Sequence, residues 1–288
     1  TQRRVRRILS LAGYRISLGL PGVGDTVGIW GNSPTAHRGL AIAAKHETPV
    51  VRVEDTFLRS LHPGRGGEPP IGLLLDRSGL HFDPTRPSDL EQILATDPLD
   101  DSDLLNRARA GIERIRDAHL SKYCGFDPTH PTPEPGYVLV LDQTFGDASV
   151  RASKAERAQF LEMLVFAQEE HPGARVLIKT HPETLRGYRQ GYFEPGDASN
   201  RVSFLTDPVS PWALREGAVG VYTVSSQMGF EAILAGHKPR VFGQPFYAGW
   251  GLTEDEFPLP RRQRRLTRAQ VFAAAMILYP HWYDPHHD

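Results

Sequence analysis

Short apolar runs alternate along this chain with longer segments in which apolar residues recur at helical spacing. Short runs rich in β-branched residues are typical of buried strands, and helical periodicity is typical of helices packed on a sheet. The first half of the chain therefore predicts alternating strands and helices. The predicted strands are 27–30 and 49–53, the predicted helices are 34–45, 87–94 and 102–123, and 71–75 with 79–82 is predicted to form a hairpin.

The same alternation resumes after residue 136. The predicted strands are 137–141, 175–179, 202–205, 219–224 and 239–243, and the predicted helices are 154–170, 211–216, one that follows Ser226 and ends at Gly236, and 267–278 with Thr267 as its N-cap. Alternating strands and helices are the signature of an α/β fold with parallel sheets. The sequence therefore predicts a second α/β domain.

A proline-rich segment separates the two series. Residues 127–136 read DPTHPTPEPG, and four prolines in ten residues block both helix formation and sheet pairing. We predict an N-terminal domain at 1–126, a linker at 127–136 and a C-terminal domain at 137–265. The helix within 266–288 is expected to cross back to the N-terminal domain.

Composition excludes several classes of protein. The 288 residues suffice for two domains, 40% are hydrophobic, and no apolar run approaches the roughly 20 residues of a membrane span. A formal net charge of -1 argues against a nucleic-acid-binding protein. The lone Cys124 rules out an internal disulfide and fits a reducing cytoplasm. Because the chain begins at Thr1, we expect one module excised from a longer protein.

One dense basic cluster consists of Arg261, Arg262, Arg264 and Arg265. Such clusters are usually solvated surface, and we expect that here. The alternative is a contact with an anionic acceptor or with a membrane surface.

The segment 218–243, AVGVYTVSSQMGFEAILAGHKPRVFG, reads as a strand, a helix and a second strand. The helix N-terminus in such a unit presents free N–H groups and a positive dipole end, which favour an anion such as phosphate. Ser225 and Ser226 would add hydroxyl donors, and Glu231 could accept from a ribose diol. The alternative is that Ser225 serves only as an N-cap.

Three further stretches place polar side chains after predicted strands, where α/β folds bind ligands. They are EDTFLRS at 54–60, DQTFGDAS at 142–149 and KTHPE at 179–183. Each alone is explained by a helix cap, a turn or a local ion pair. Together they indicate a site for an anionic ligand from which a group is displaced. The candidates are Glu54, Asp55, Arg59, Asp142, Gln143, Asp147, Lys179 and His181.

These motifs, with TVSSQMGFEAILAG at 223–236 and GQPFYAGWGLTED at 243–255, resemble the bacterial capsule polysaccharide β-Kdo transferases, a family labelled as capsule biosynthesis or export proteins. The resemblance implies a GT-B-like fold, in which two Rossmann-like domains face an interdomain cleft. It implies retaining transfer of Kdo from CMP-Kdo to a Kdo-terminated, lipid-linked acceptor, often with a second transferase module in the same chain. It also implies a cytoplasmic location with peripheral attachment to the inner membrane.

The resemblance extends to bacterial sialyltransferases, whose histidine and serines hold the CMP phosphate. It assigns that role to His181, Ser225 and Ser226, and the ribose contact to Glu231. Lys179 and Gln143 are expected to add donor contacts. Because CMP departs readily once the charge on its phosphate is stabilised, no metal or cofactor is required.

Retention demands two inversions, and hence a carboxylate that forms a glycosyl-enzyme intermediate. We predict that Asp147 is this nucleophile and that Asp142 orients the loop. Glu54 is predicted to take the proton of the acceptor hydroxyl, and Arg59 to bind the carboxylate of donor or acceptor Kdo.

Two alternatives stay open on the sequence. An inverting CMP-sugar transferase of the sialyltransferase type would use Asp147 as a base, and product stereochemistry separates it from a retaining enzyme. A non-catalytic nucleotide-sugar-binding or export subunit would bind CMP without turnover and would tolerate the loss of Asp147.

Overall fold

Two β-sheets with helices packed against them organise the chain in the computed structural model, which describes residues 3–284 and 286. The strands are β1 (Val27–Trp30), β2 (Val50–Asp55), β3 (Gly72–Asp76), β4 (Tyr137–Leu141), β5 (Arg175–Lys179), β6 (Val202–Leu205), β7 (Ala218–Thr223), β8 (Arg240–Val241), β9 (Glu254–Asp255) and β10 (Pro280–Trp282). The helices are α1 (Arg3–Leu11), α2 (Ala36–Lys45), α3 (Asp89–Thr96), α4 (Ser102–Asp117), α5 (Ala148–Ala152), α6 (Arg157–Glu170), α7 (Pro182–Leu185), α8 (Pro211–Gly217), α9 (Gln227–Ala235) and α10 (Arg268–Phe272), which continues as a π-helix, Ala273–Leu278. The α/β class predicted from the sequence is confirmed.

The six-stranded sheet has the order β6-β5-β4-β7-β8-β9, and its strands pair in parallel. Every residue of β4 is buried because helices cover both faces of the sheet, which explains the uninterrupted apolar run. Val138 packs with Phe160 of α6 on one face, and Leu139 packs with Ala232 of α9 on the other. Since the strands are parallel, the segments after β4, β5 and β7 meet at one edge.

The first sheet is mixed, with the order β1-β2-β3-β10. Strands β1 and β2 are parallel, whereas β3 runs antiparallel to both β2 and β10. The predicted hairpin is wrong, because 79–82 forms no strand. Asp76 Oδ1 instead accepts the N–H groups of Ser78 at 2.9 Å and Gly79 at 2.7 Å, and the chain turns away from the sheet. The sheet therefore differs from the wholly parallel sheet expected of a Rossmann-like domain.

Helix α4 is shorter than the predicted helix 102–123. It ends at Asp117, and His119 then adopts φ +53° in the left-handed region. His119 Nδ1 lies 2.6 Å from Ser210 Oγ in the second half of the chain, so contact with that half fixes the turn. As a result, residues 121–123 leave the helix and lie where the two halves meet.

The basic cluster makes internal contacts. The expectation of solvated surface is wrong for Arg262, which is buried, whereas Arg264 is half-buried and Arg261 and Arg265 are exposed. Arg261 binds Glu91 of α3, and Arg262 Nη2 lies 2.8 Å from Glu91 Oε2. The Arg262 side chain is only 2% exposed. Arg264 donates to the carbonyl of Pro98 at 2.7 Å. These arginines fasten the end of the second half to α3.

The C-terminal segment packs against the first half of the chain. A capping box between Thr267 and Gln270 starts α10, and α10 with its π-helical continuation contacts α3 and α4. Tyr279 OH then donates to Asp76 Oδ2 at 2.7 Å, next to the pairing of β10 with β3. The last strand of the first sheet thus comes from the end of the chain.

Candidate active site

A cavity of ≈ 370 Å³ lies at the carboxyl edge of the six-stranded sheet, and both halves of the chain line it. Of the predicted site residues, Arg59 alone lies outside this lining. The polar lining includes Glu54, Asp55, Lys122, Asp142, Gln143, Asp147, Ser149, Lys179, His181, Ser225, Ser226 and Glu231. The topology of parallel strands therefore gathers side chains that are far apart in sequence.

Gln143 orients Ser225 at the end of β7. The Gln143 Oε1 accepts the backbone N–H of Ser225 at 2.9 Å, and its Nε2 donates to Ser225 Oγ at 3.1 Å. Both residues are buried. The predicted donor contact of Gln143 is thus accompanied by a role inside the protein, since its amide fixes the serine.

Asp147 is joined to Ser225 through one hydroxyl group. Asp147 caps α5, and its Oδ1 accepts from the N–H of Ser149 at 2.8 Å and from Ser149 Oγ at 2.6 Å. Ser149 Oγ in turn lies 2.9 Å from Ser225 Oγ. Within residues 3–284 and 286, Asp147 Oδ2 has no hydrogen-bond partner. The capping bonds hold the carboxylate still while one oxygen stays available to a substrate.

Ser226, and not Ser225, is the N-cap of α9. Its Oγ accepts the N–H of Met228 at 3.3 Å, and its carbonyl accepts from Tyr247 OH at 2.6 Å. Gly229 permits this contact, because a Cβ there would lie 2.3 Å from the Tyr247 hydroxyl. The alternative in which Ser225 only caps the helix is therefore wrong. The Ser225 hydroxyl lies just before the N-terminus of α9, where an anion is favoured.

His181 and Lys179 bring two N–H donors to the same edge. His181 caps α7, and its Nδ1 accepts the N–H of Glu183 at 3.1 Å. Burial, helped by the nearby charge of Lys122, lowers the pKa of His181 to about 4, so the neutral ring carries its proton on Nε2. Burial lowers the pKa of Lys179 to about 8. Its Nζ donates to the carbonyl of Asp207 at 3.3 Å.

Glu54 lies inside β2, because this strand extends to Asp55 and does not end at residue 53. Burial and the charge of Asp55 raise the pKa of Glu54 to about 7. Gly31, with φ +40°, packs against the carboxyl group, since a Cβ there would lie 1.6 Å from Oε1. A carboxylate that titrates near neutral pH in a cavity is suited to accept a proton.

Arg59 is turned away from the cavity. Its Nε lies 2.6 Å from Asp55 Oδ2, and its Nη1 donates to Ser60 Oγ at 2.7 Å and to the Glu68 carbonyl at 3.1 Å. The side chain is 7% exposed. The guanidinium is therefore used to hold the loop after β2, and the predicted contact with a sugar carboxylate has no support in this geometry.

Glu231 lines the cavity, but protein groups occupy its carboxylate. Arg215 Nη2 lies 2.6 Å from Oε2, and Ser121 Oγ donates to Oε1 at 2.8 Å and to Oε2 at 2.9 Å. The N–H of Lys122 donates to Oε1 at 3.3 Å. These contacts give no support to the predicted ribose contact. They join α9 to residues 121 and 122 of the first half.

Asp142 is likewise committed to the protein. Its Oδ1 accepts the N–H groups of Gln143 and Tyr192, both at 2.9 Å. Burial raises the pKa of Asp142 to about 6 in spite of these hydrogen bonds. This arrangement fits the interpretation that Asp142 orients the loop after β4.

Two cavity residues were missed by the sequence reasoning. Burial alone would lower the pKa of Lys122, but Tyr123, Asp147, Asp55 and Glu54 together raise it. His81 lies against Phe57, with ring centroids 5.1 Å apart, and burial lowers its pKa to about 3. Neither residue stands in a motif, and helical periodicity placed Lys122 in a helix. The sequence therefore carried no signal for them.

In the part of the chain that the structure describes, no helix combines the length and the hydrophobicity that a bilayer span requires. No three side chains of His, Cys, Asp or Glu are gathered there as a set of metal ligands.

Comparison with known proteins decides the family. Residues 25–135 and 127–282 match the family described as capsule polysaccharide biosynthesis protein. The chain belongs to this family. The family resemblance read from the sequence motifs is thereby confirmed.

Two relatives of known name are 41% and 38% identical to this chain. The capsule polysaccharide modification protein LipA of Neisseria meningitidis serogroup B is 41% identical over 269 residues, which cover 89% of this chain and 38% of LipA. The lipopolysaccharide-processing protein LpsZ of Rhizobium meliloti is 38% identical, over 83% of this chain and 56% of LpsZ. The chain thus spans well under two thirds of these relatives.

Two solved structures from Thermosulfurimonas dismutans resemble this family member in fold. KpsC, beta Kdo 2,4 transferase, is 39% identical with a TM-score of 0.85, over 90% of this chain and 82% of that one. KpsC, beta Kdo 2,7 transferase, is 27% identical with a TM-score of 0.72, over 97% of this chain and 89% of that one.

Proposed function

We propose that this family member is a retaining β-Kdo glycosyltransferase module with a GT-B-like fold. The two sheets would then form the two domains, 1–126 and 137–265, with the cavity as the cleft between them. The likeness to two β-Kdo transferases supports the reaction class. The donor would be CMP-Kdo, and the acceptor a Kdo-terminated glycolipid.

One observation carries the proposal: the hydrogen-bond chain from Asp147 through Ser149 to Ser225. Ser225 stands before the α9 N-terminus, where a phosphate is stabilised by the helix dipole and free N–H groups. Two hydrogen bonds, of 2.6 Å and 2.9 Å, hold the Asp147 carboxylate near the Ser225 hydroxyl and so near a phosphate bound there. A nucleophile and a leaving-group site are thereby held in one rigid unit.

In the first step, Asp147 Oδ2 attacks the anomeric carbon of Kdo, and the bond from that carbon to the CMP phosphate oxygen breaks. The Ser225 hydroxyl turns its proton from Ser149 Oγ to the phosphate and, with the Nε2–H of His181 and the Lys179 ammonium, stabilises the departing phosphate charge. A neutral histidine suits this role because it donates a hydrogen bond without transferring a proton. With these donors, no metal is needed to release CMP.

In the second step, the acceptor hydroxyl attacks the anomeric carbon, and the ester bond to Asp147 breaks. The hydroxyl proton passes to Glu54, which the first half of the chain contributes to the cavity. Two inversions return the original configuration, which is what retention means. The carboxyl group of Asp147 is regenerated as a carboxylate for the next cycle.

The acceptor position is proposed from the pattern of similarity. The chain is 39% identical to the beta Kdo 2,4 transferase and 27% identical to the beta Kdo 2,7 transferase. We therefore propose a 2,4 linkage. We also propose that the module acts at the cytoplasmic face of the inner membrane, alongside a second transferase module in its full-length chain.

The test is product analysis by NMR after incubation with CMP-Kdo and a synthetic Kdo-terminated acceptor. The proposal predicts a single new β-linked Kdo at the 4-position. An α-linked product would indicate an inverting sialyltransferase-type enzyme. CMP binding without any product would indicate a non-catalytic subunit.

The pKa of Glu54 predicts the pH dependence of transfer. Because burial raises this pKa to about 7, the carboxyl group is protonated and inactive as a base at lower pH. We expect kcat/KM for the acceptor to fall about tenfold for each pH unit below this value. A profile from about pH 5 to pH 9 measures it. The Glu54→Gln variant should be slow and lack this limb, so an unchanged limb in the variant would remove Glu54 as the base.

A further inference from the structure

Lys122 presents an ammonium group to the cavity with no hydrogen-bond acceptor from residues 3–284 and 286. Its nearest described ring is that of Tyr123, whose centroid is 5.7 Å from Nζ. The backbone is nevertheless fixed. Its N–H donates to Glu231 at 3.3 Å, and its carbonyl accepts from the N–H of Arg59 at 3.2 Å. The backbone of Lys122 is thus fixed while its ammonium group has no acceptor among the described residues. Such a group is suited to bind an anion in the cavity.

The charges around Lys122 come from both halves of the chain. Glu54 and Asp55 belong to β2, and Asp147 follows β4; all three favour the charged form of the lysine. Asp55 is already paired with Arg59 at 2.6 Å. Lys122 therefore lines the same cavity as the proposed base and the proposed nucleophile, and the charges of both act on its ammonium group.

Kdo carries a carboxylate on its anomeric carbon, and this sets an electrostatic problem. Attack by Asp147 brings a second carboxylate to the same carbon. Two like charges at contact distance repel strongly in a cavity of low dielectric constant. A cation close to both groups would remove most of that repulsion.

The other cations at or near the cavity have other partners. Arg59 is paired with Asp55, and Lys179 Nζ donates to the Asp207 carbonyl and is assigned above to the departing phosphate. Arg186 lies at the rim, where its Nη2 is 2.6 Å from His62 Nδ1. Among the described cations that line the cavity, Lys122 thus remains, with no described acceptor for its head group and with the charge of Asp147 acting on it.

We propose that Lys122 binds the carboxylate of the donor sugar and holds it beside Asp147 during attack. The assignment rests on the proposed Kdo transfer, and it gives Lys122 the role that the sequence had suggested for Arg59. Lys122 is then a substrate-binding residue, and its effect depends on the charge of the substrate.

The experiment pairs a protein variant with a substrate variant. Transfer rates are measured for wild type and Lys122→Met with CMP-Kdo, and with a donor whose carboxylate is a primary amide. With CMP-Kdo, we expect Lys122→Met to be slower by about 100-fold, the size of one charge-assisted hydrogen bond. Wild type should prefer the carboxylate donor by a similar factor, whereas Lys122→Met should show no such preference.

Two controls make the result specific. Lys45→Met, on the exposed face of α2, should leave both rates unchanged. CMP, which lacks the sugar carboxylate, should bind Lys122→Met as tightly as wild type. A variant that still prefers the carboxylate donor by the wild-type factor, or that loses CMP affinity, overturns the assignment. Absence of Kdo transfer by wild type would instead defeat the proposed function.

Discussion

The Asp147→Asn variant is expected to lose at least about 10³-fold in Kdo transfer while it keeps its fold. An amide cannot form the glycosyl ester that the first step requires. Asparagine caps helices as well as aspartate does, so α5 should begin at the same residue. The initial rate of product formation from CMP-Kdo and acceptor measures the loss.

A matched variant separates chemistry from geometry. Ser149→Ala removes the hydroxyl that joins Asp147 to Ser225 but keeps the nucleophile. We expect it to be slower than wild type and much faster than Asp147→Asn, because orientation is weakened and bond formation is still possible. Thermal unfolding and CMP affinity should match wild type in both variants. Full activity in Asp147→Asn would exclude the proposed nucleophile.

Replacing Glu231 by Gln is expected to lower the free energy of unfolding by about 3–5 kcal/mol. Arg215 is 1% exposed and pairs with Glu231 at 2.6 Å, so the substitution leaves a buried guanidinium without its carboxylate. Arg215 Nε and Nη1 already have no acceptor among the described residues, which leaves little compensation. Urea unfolding monitored by circular dichroism measures the change.

Two controls define this effect. The double variant Arg215→Met with Glu231→Leu replaces the pair by apolar side chains and should recover most of the stability. It should not recover activity, because Ser121 and Lys122 lose their acceptor. At the exposed pair, Lys238 with Glu254, the change Glu254→Gln should cost less than about 1 kcal/mol. Equal costs for Glu231→Gln and Glu254→Gln would contradict the assigned importance of burial.

The centre of the six-stranded sheet was predictable because its buried parallel strands are apolar runs, whereas the charged edge strand β9 was not predicted. Strand β4 matches the predicted 137–141 and β5 matches 175–179, and their pairing follows from the alternation with helices. The first sheet was not predictable in the same way. Strand β10 pairs with β3 from the far end of the chain, and such pairing depends on tertiary contacts that leave no local pattern.

The candidate site was predictable where topology alone fixes position. Asp147, His181 and Ser225 follow parallel strands, so the fold must bring them to one edge. The direction of a side chain is a different matter. Arg59 pairs with Asp55 at the end of β2, and Glu231 pairs with Arg215. The sequence pattern predicted neither ion pair.

Lys122 was missed for a related reason. Apolar spacing continues past the end of α4, and only the contact of His119 with Ser210 shows why the helix stops. Arg262 was predicted to lie on the solvated surface, and the prediction is wrong because Arg262 is paired with Glu91 from a helix far away in the sequence. In each case a partner far along the chain decides the outcome.

The most direct test of the account is the intact mass of the Glu54→Gln variant after incubation with CMP-Kdo alone. Without a base or an acceptor, the second step is blocked and the glycosyl-enzyme should accumulate. We predict a mass increase of one Kdo residue, mapped to the peptide that contains Asp147 and absent when Asp147→Asn is added. An adduct on another residue, or release of CMP with no adduct on Asp147, would contradict the double-displacement mechanism.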